Sequence, residues 1–495
     1  MGLAISGDTF DEKDYARFST RLNECLAALG ELLARPGFGE GEETIGAELE
    51  MFLVDAEGHP LPANREVLAR TMDSRLTVEI DRFNLECNAR PCPLAGRPFA
   101  ALRAELASAL AEVSRAAAAQ GGRVITIGML PTFRREDFGG KALTDLPRYR
   151  ALSQGVRRLR GEPFHLRIHG EDPLAFDIDD VTLEGACTSF QVHLRVDPGN
   201  FARAYNAVQL ATIPALAVAG NAPILVGHRL WEETRIAVFK QSADDRGDLD
   251  APWHPPARVS FGHGWTRAGA LELFAESVAM HAPLLPVLVP EDPMATVRAG
   301  GVPALAELRL HQGTVWRWNR AVYDPVGGGH VRIEMRSLPA GPTMADMLAN
   351  AAFALGLSLG LMPDVDRILP AYPFATAQYA FYRAAQQGLD SLIPWPSVEV
   401  PSPRLFPARE LCAQLLPVAR RGLLEHGVDP GEVEEHLGVI AERVASGRTG
   451  ARWQRAVLDS LLGRMPREQA LRELLERYAA RSASGEPVHR WPVDE

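Results

Sequence analysis

Four short stretches place acids, amides, a histidine and arginines at every second position of otherwise apolar runs. GAELEMFLVD, residues 46–55, holds Glu48 and Glu50 among Leu49, Met51 and Leu53. FNLECNA, residues 83–89, sets Asn84, Glu86 and Asn88 against Leu85 and Cys87, with Glu79 and Asp81 just upstream. FQVHLRV, residues 190–196, alternates Gln191, His193 and Arg195 with Val192 and Leu194. HVRIEMRSL, residues 330–338, alternates Arg332, Glu334 and Arg336 with Val331, Ile333 and Met335. An extended strand turns successive side chains to opposite faces, and residues two apart lie roughly 7 Å from each other. Each stretch therefore reads as a strand with one apolar face and one chemically equipped face.

A half-exposed antiparallel sheet would give the same alternation with its polar side chains merely in water. These faces carry no lysine, however, and hold the donors and ligands of a site. On one concave surface, carboxylates would gather within roughly 7 Å, and at an effective dielectric of about 20 each pair repels by roughly 2 kcal/mol. Cations make such crowding tolerable. Oxygen ligands with few histidines and no paired cysteines select Mg²⁺ or Mn²⁺ rather than zinc. Mg²⁺ in turn commonly joins carboxylates to substrate phosphates. Arg332 and Arg336, beside Glu334, can hold phosphate oxygens by forked hydrogen bonds. The pattern points to a nucleotide site. Gly139-Gly140-Lys141-Ala142 lacks the spacing of a phosphate-binding loop, and Gly327-Gly328-Gly329 reads as a hairpin turn.

The elements that must position these residues read as a mixed α+β chain. Helical periodicity marks 14–35, ended by Pro36-Gly37, and an Ala- and Leu-rich helix covers 98–119. Strands are expected at 44–55 and 123–129, with a polar, irregular stretch at 131–180 that could close over a site. Helices follow at 200–220 and 267–282, and the chain is mostly helical from about 341 onward, with a Pro-rich break at 394–407. A catalytic body at 1–370 with a helical region at 371–495 packed on it is the expected organisation. Trp316 and Trp318 read as packing residues, His311 and Thr314 as either nucleotide contacts or the opening of a strand, Cys87 as core, and the basic stretch 447–456 as a solvated helix start.

Composition narrows the partners. The 495 residues are 46% hydrophobic, and 52 Lys and Arg against 63 Asp and Glu give a net charge of −11, which disfavours nucleic acid. Five cysteines, with no CxxC pair, argue against a zinc or disulfide framework and for a reducing compartment. The N-terminus meets acids early and makes a poor signal peptide. Residues 207–227 are apolar but broken by Gln209, Pro214, Asn221 and Pro223, so they read as a buried helix and loop. The expectation is a cytoplasmic protein with small-molecule partners, no nucleic acid and no membrane, its oligomeric state left open.

The E-x-E strand, Glu79 with Glu86 seven residues later, CTSFQVHLRV, and H-x-x-T followed by EMR resemble the glutamate–cysteine ligase superfamily, closest to its family-2 carboxylate–amine ligases. The resemblance implies a glutamine-synthetase-like fold, a curved antiparallel half-funnel backed by helices, together with ATP and two or three Mg²⁺ ions. Carried over, Glu48, Glu50, Glu79, Glu86 and Glu334 match metal-binding carboxylates. Gln191 stands where some relatives have a metal-binding His and others Gln, and His193 falls beside the nucleotide. Arg336 matches an arginine that contacts transferring phosphate. PRYRAL is similar to a family loop near the substrate, which makes Arg148 and Tyr149 candidates, and Arg235 in WEETRIAVFKQS falls where relatives bear a substrate-binding arginine.

The implied reaction activates a carboxylate with the γ-phosphoryl group of ATP, after which an amine displaces phosphate to leave an amide, γ-glutamyl or similar. Phosphoryl transfer asks mainly for positioning and charge neutralisation, which Glu48, Glu334 and Arg336 would help supply. A phosphotransferase acting on a guanidino or carboxylate group, and a non-catalytic nucleotide-binding regulator, are the alternatives.

Overall fold

The computed structural model describes residues 5, 7–247, 255–396 and 403–493. Among the described residues thirteen strands run in chain order: β1 Thr44–Val54, β2 Leu76–Val78, β3 Asn84–Pro93, β4 Arg123–Ile125, β5 Phe164–Ile168, β6 Leu174–Ile178, β7 Phe190–Val196, β8 Ile224–Leu225, β9 His228–Arg229, β10 Asn319–Asp324, β11 His330–Met335, β12 Leu392–Trp395 and β13 Arg404–Pro407. Seven of them form one antiparallel sheet in the order β10-β11-β7-β1-β3-β2, with β4 paired to the end of β1. The others pair as three separate hairpins.

Alternation decides how the sheet is covered. Leu49, Met51, Leu53, Leu85, Cys87, Val192, Leu194, Ile333 and Met335 point to one face and are buried in the main core. The helices Pro98–Ala118, Phe201–Ala219 and Met344–Leu361 pack behind that face. The opposite face is polar at Glu48 and Glu50 but turns apolar at Phe52 and Val54. There a second core, built from Phe83, Phe133, Trp453, Tyr478 and Trp491 among others, seals it. The stretch Met344–Ala371 has the length and apolarity of a membrane span, yet 89% of its most apolar window is buried inside the protein.

Several expectations need correction. Residues 131–180 are not mainly irregular: they hold the helix Pro147–Arg160 and the β5–β6 hairpin. Arginines mask the helix, but Ala151, Leu152, Gly155 and Val156 form its buried stripe, Pro147 starts it and Gly161 ends it at φ 75°. The strand expected at 123–129 pairs only over Arg123–Ile125. The Pro-rich break forms the β12–β13 hairpin, with its residues 397–402 outside the described ones. Residues 1–4 and 6 of the N-terminus also lie outside them. His311 and Thr314 do not open a strand, because His311 lies within the helix Ala306–Gln312 and Thr314 just beyond its end. The basic stretch at 447–456 is not solvated: Thr449 caps the helix Gly450–Leu462, and Ala451, Trp453 and Gln454 are buried.

Candidate active site

Register brings the four chemically equipped faces together. On β1, Glu48 faces Asn88 of β3 and Gln191 of β7, and Glu50 faces Glu86. On β11, Glu334 faces His193 of β7 and Arg320 of β10. Gly46 faces His193 from the β1 side, so one position in that row carries no side chain. Cross-strand partners share a face, so these rows form one floor.

The floor lies under a cavity of about 610 Å³ whose lining includes Glu48, Glu50, Glu79, Glu86, Glu184 and Glu334. Gln191, Arg320, Arg332 and Arg336 also reach it. The helix Pro147–Arg160 supplies Arg148 and Tyr149 from above, and Tyr149 Oη donates to the Val78 carbonyl at 2.9 Å. Arg309, Gly313, Thr314 and Trp316 line the cavity beyond β10.

Two charge regimes meet on this floor. At the β11 end, Arg320 grips Glu334 with two bonds of 2.5 and 2.9 Å, and Arg336 Nη1 stands 3.3 Å from the same carboxylate. Burial alone would raise Glu334, but Arg320, Arg336 and His193 hold it well below the usual carboxylate range. Burial would raise Glu48 too, and the His193 ring beside it tips the balance downward. Arg332 Nε donates to His193 Nδ1 at 3.1 Å, which leaves the ring hydrogen on Nε2. That Nε2 lies 3.1 Å from Glu48 and 3.9 Å from Glu334, its N–H close to both carboxylates but out of line for a hydrogen bond. Ligand atoms of Glu48, His193 and Glu334 lie within 4.8 Å of one another.

At the β3 end the acids outnumber the cations. Burial and then the charge of Glu79 push Glu50 up to about 7. Burial, with Glu79 and Glu50 behind it, pushes Glu184 up to about 8. Glu86 rises well above its ordinary value through burial and the charges of Glu48, Glu79 and Glu50, and Glu79 rises through burial. Glu50 is held by the Ser189 N–H at 2.6 Å, the Ser189 hydroxyl at 3.0 Å and the Gln191 amide at 3.0 Å. Gln191 in turn accepts from Arg336 at 2.6 Å, so one amide bridges Glu50 and Arg336. A set of hard oxygens that resists ionisation until positive charge arrives is the donor chemistry that suits divalent cations.

Arg235 does not reach the cavity. It is 2% exposed, paired with the fully buried Glu233 at 2.7 Å, and donates to the Ser337 carbonyl at 2.7 Å. His311 is also withdrawn, its Nε2 lying 3.1 Å from the Ser277 carbonyl. Trp316 and Trp318 pack on Phe239 with ring centroids at 5.8 and 5.7 Å. Arg309, Arg320 and Glu184 line the cavity but escaped the sequence reading. Arg320 had a signal, since Arg320, Val322 and Asp324 alternate with Ala321 and Tyr323. Glu184 had none, because it sits on the single 3₁₀ turn Thr182–Ala186.

The curled antiparallel sheet, apolar behind and carboxylate-rich in front, defines the glutamine-synthetase-like class of fold. Glutamate-cysteine ligase family 2 (GCS2) matches residues 44–480, and the chain belongs to that family. A Mycolicibacterium vanbaalenii protein that carries the name glutamate–cysteine ligase 2-2 is 33% identical over 112 residues. That match spans 22% of this chain and 29% of the relative's length. The crystal structure of the Francisella tularensis glutamate–cysteine ligase in complex with AMP superposes with a TM-score of 0.56 at 10% identity, over 92% of this chain and 90% of that one. A bifunctional glutathione synthetase from Pasteurella multocida gives 0.51 at 11% identity, over 93% and 55%.

Proposed function

We propose that the protein is an ATP-dependent carboxylate–amine ligase that forms an amide, γ-glutamyl in kind, through an acyl phosphate. The observation that carries this reading is the convergence of Glu48, Glu50, Glu79, Glu86 and Glu334 with Arg320 and Arg336 on one floor. Family membership supports it, as does AMP in the complex of the Francisella enzyme. Two groups of Mg²⁺ ligands follow: Glu48, Glu334 and His193 at one end, and Glu50, Glu79 and Glu86 at the other, with Gln191 between them. Bound there, Mg²⁺ would neutralise phosphate charge.

His193 meets one condition as a ligand. Were Nε2 to ligate the metal, the neutral ring would carry its hydrogen on Nδ1, so Arg332 would have to release Nδ1, and its Nε could then turn to a phosphate oxygen while Nη1 stays on Asp324. Arg336, fixed by Gln191 and Glu334, aims its remaining N–H groups at the transferring phosphoryl group. Arg148 and Tyr149, which line the cavity, bind the acceptor in this reading. Residues 371–495 act as a helical region folded onto the catalytic body 1–370, and a cytoplasmic location suits the free thiols.

Incubation with ATP, Mg²⁺, glutamate and a pool of amines, followed by mass spectrometry, tests the reading. ADP and an amide are expected. AMP with pyrophosphate would refute the acyl phosphate, and a phosphorylated acceptor without amide would favour a phosphotransferase.

A further inference from the structure

We infer that the buried Glu233–Arg235 pair is a positioning device that holds Arg336 and Glu50 in place and is anchored by the C-terminal helices. The inference rests on the ligase reading for the roles of Arg336 and Glu50. Arg235 carries one end of the device, donating to the carbonyl of Ser337, the residue next to Arg336. The segment it supports is paired to the strip that holds Glu50. Phe190 N donates to the Leu338 carbonyl at 3.0 Å, Ser189 bridges Pro339, and Ala340 N donates to the Thr188 carbonyl at 3.2 Å. Ser189 is the residue whose N–H and hydroxyl bind Glu50. One support thus reaches both sides of the Gln191 bridge.

The other end of the device is set by Asn221. Its N–H donates to Glu233 at 3.0 Å, and its side-chain amide donates to the Ala340 carbonyl at 2.8 Å and to Tyr478 Oη at 2.9 Å. Gln454 closes the arrangement by donating to Asn221 Oδ1 at 2.9 Å. Tyr478 and Gln454 belong to the helices Arg467–Ser484 and Gly450–Leu462. An ion pair with both partners buried costs desolvation and earns little stability by itself. A pair that also fixes a reactive segment has a reason to be there, because small misplacements of positioned groups cost rate.

Arg235→Lys keeps the charge facing Glu233 but lacks the fork that serves two acceptors. It should lower kcat about tenfold while KM for ATP stays within about twofold. Tyr478→Phe, which keeps the ring and removes the hydroxyl, should lower kcat in the same direction by about threefold. In an Arg336→Lys background, Arg235→Lys should cost clearly less than the tenfold expected alone, since the part of its effect that passes through Arg336 is already lost. Hydrogen exchange of wild type and both variants should show faster exchange at residues 336–340 and unchanged exchange in the helix Pro98–Ala118. The exchange needs no turnover, so it reads the device even if the wild type makes no amide, which would sink the ligase reading alone. Should Arg235→Lys not fold, Tyr478→Phe carries both measurements. Unchanged exchange at 336–340, a kcat within about twofold of wild type, or an equal loss in the Arg336→Lys background would overturn the inference.

Discussion

Glu50 and Glu86 stand directly opposite each other across the β1–β3 pair, on the face that lines the cavity. Like charges in that relationship oppose the fold, and both carboxyls are pushed above their ordinary value. Replacing one with a neutral isostere should therefore help the metal-free protein. Glu86→Gln is expected to raise the melting temperature in EDTA by the equivalent of about 1 kcal/mol. It should also shrink the rise that Mg²⁺ produces in wild type. Paired thermal melts with EDTA and with Mg²⁺ decide it, and a fall in both would remove Glu86 from the cation-dependent set.

The raised acids also set a pH dependence. The folded state keeps protons on Glu50 to about 7 and on Glu184 to about 8, whereas the unfolded chain releases them near 4.5. Protonation favours the folded state, so the contribution of these groups is whole below about 4.5 and is lost as pH rises to about 8. Metal-free protein should lose denaturant stability across that window, and Mg²⁺ should flatten the loss. Mg²⁺ binding should release protons, measurable by calorimetry in buffers of different ionisation enthalpy. Binding without proton release at pH 7 would contradict the assignment.

Arg320 and Glu334 behave in the opposite sense. Glu334 is 1% exposed and doubly bonded to Arg320. Arg320→Ala leaves a buried carboxylate short of its main partner and should cost about 3 kcal/mol in urea unfolding. A loss below about 1 kcal/mol would mean that Arg336 and His193 suffice to hold Glu334.

Glu48→Gln and Arg336→Lys probe the reaction itself. Both should retain the fold by circular dichroism. Arg336→Lys should reduce kcat by about 10²-fold or more. Glu48→Gln should weaken Mn²⁺ binding, read by electron paramagnetic resonance, along with turnover. Near-wild-type turnover in either variant would take that residue out of the site.

The C-terminal helices contribute rings to the core that seals the front of the sheet. Trp453, Tyr478 and Trp491 meet with centroids 5.0 to 6.1 Å apart. Trp453→Ala should cost about 3–5 kcal/mol, and a chain ending at residue 370 should fail to fold in solution. A stable, monodisperse truncation would show the catalytic body to be self-sufficient.

Much of this floor was legible because strand alternation is strict: Glu48, Glu50, Glu86, Gln191 and Glu334 could be assigned to polar faces from spacing alone. Neighbourhood was not legible. Nothing in the spacing places β7 between β1 and β11, and that order is what puts His193 between Glu48 and Glu334. Arg148 and Tyr149 sit on a helix whose arginines disguised a buried stripe. Arg235 was assigned by resemblance alone, which does not tell an arginine that meets a ligand from one that, as here, is buried against a carbonyl. Glu184 lies on a turn without period, so only the folded chain discloses it.

Phe52 and Val54 continue the very face that begins with Glu48 and Glu50. The floor therefore ends in a wall, and on the proposed ligase reading an acceptor could not be lengthened in that direction without dismantling the packing that Trp453 and its neighbours provide. On the same reading, one route toward bulkier amines is through the ceiling, where the helix Pro147–Arg160 can be reshaped at Tyr149 and Leu152 while the load-carrying strands stay untouched.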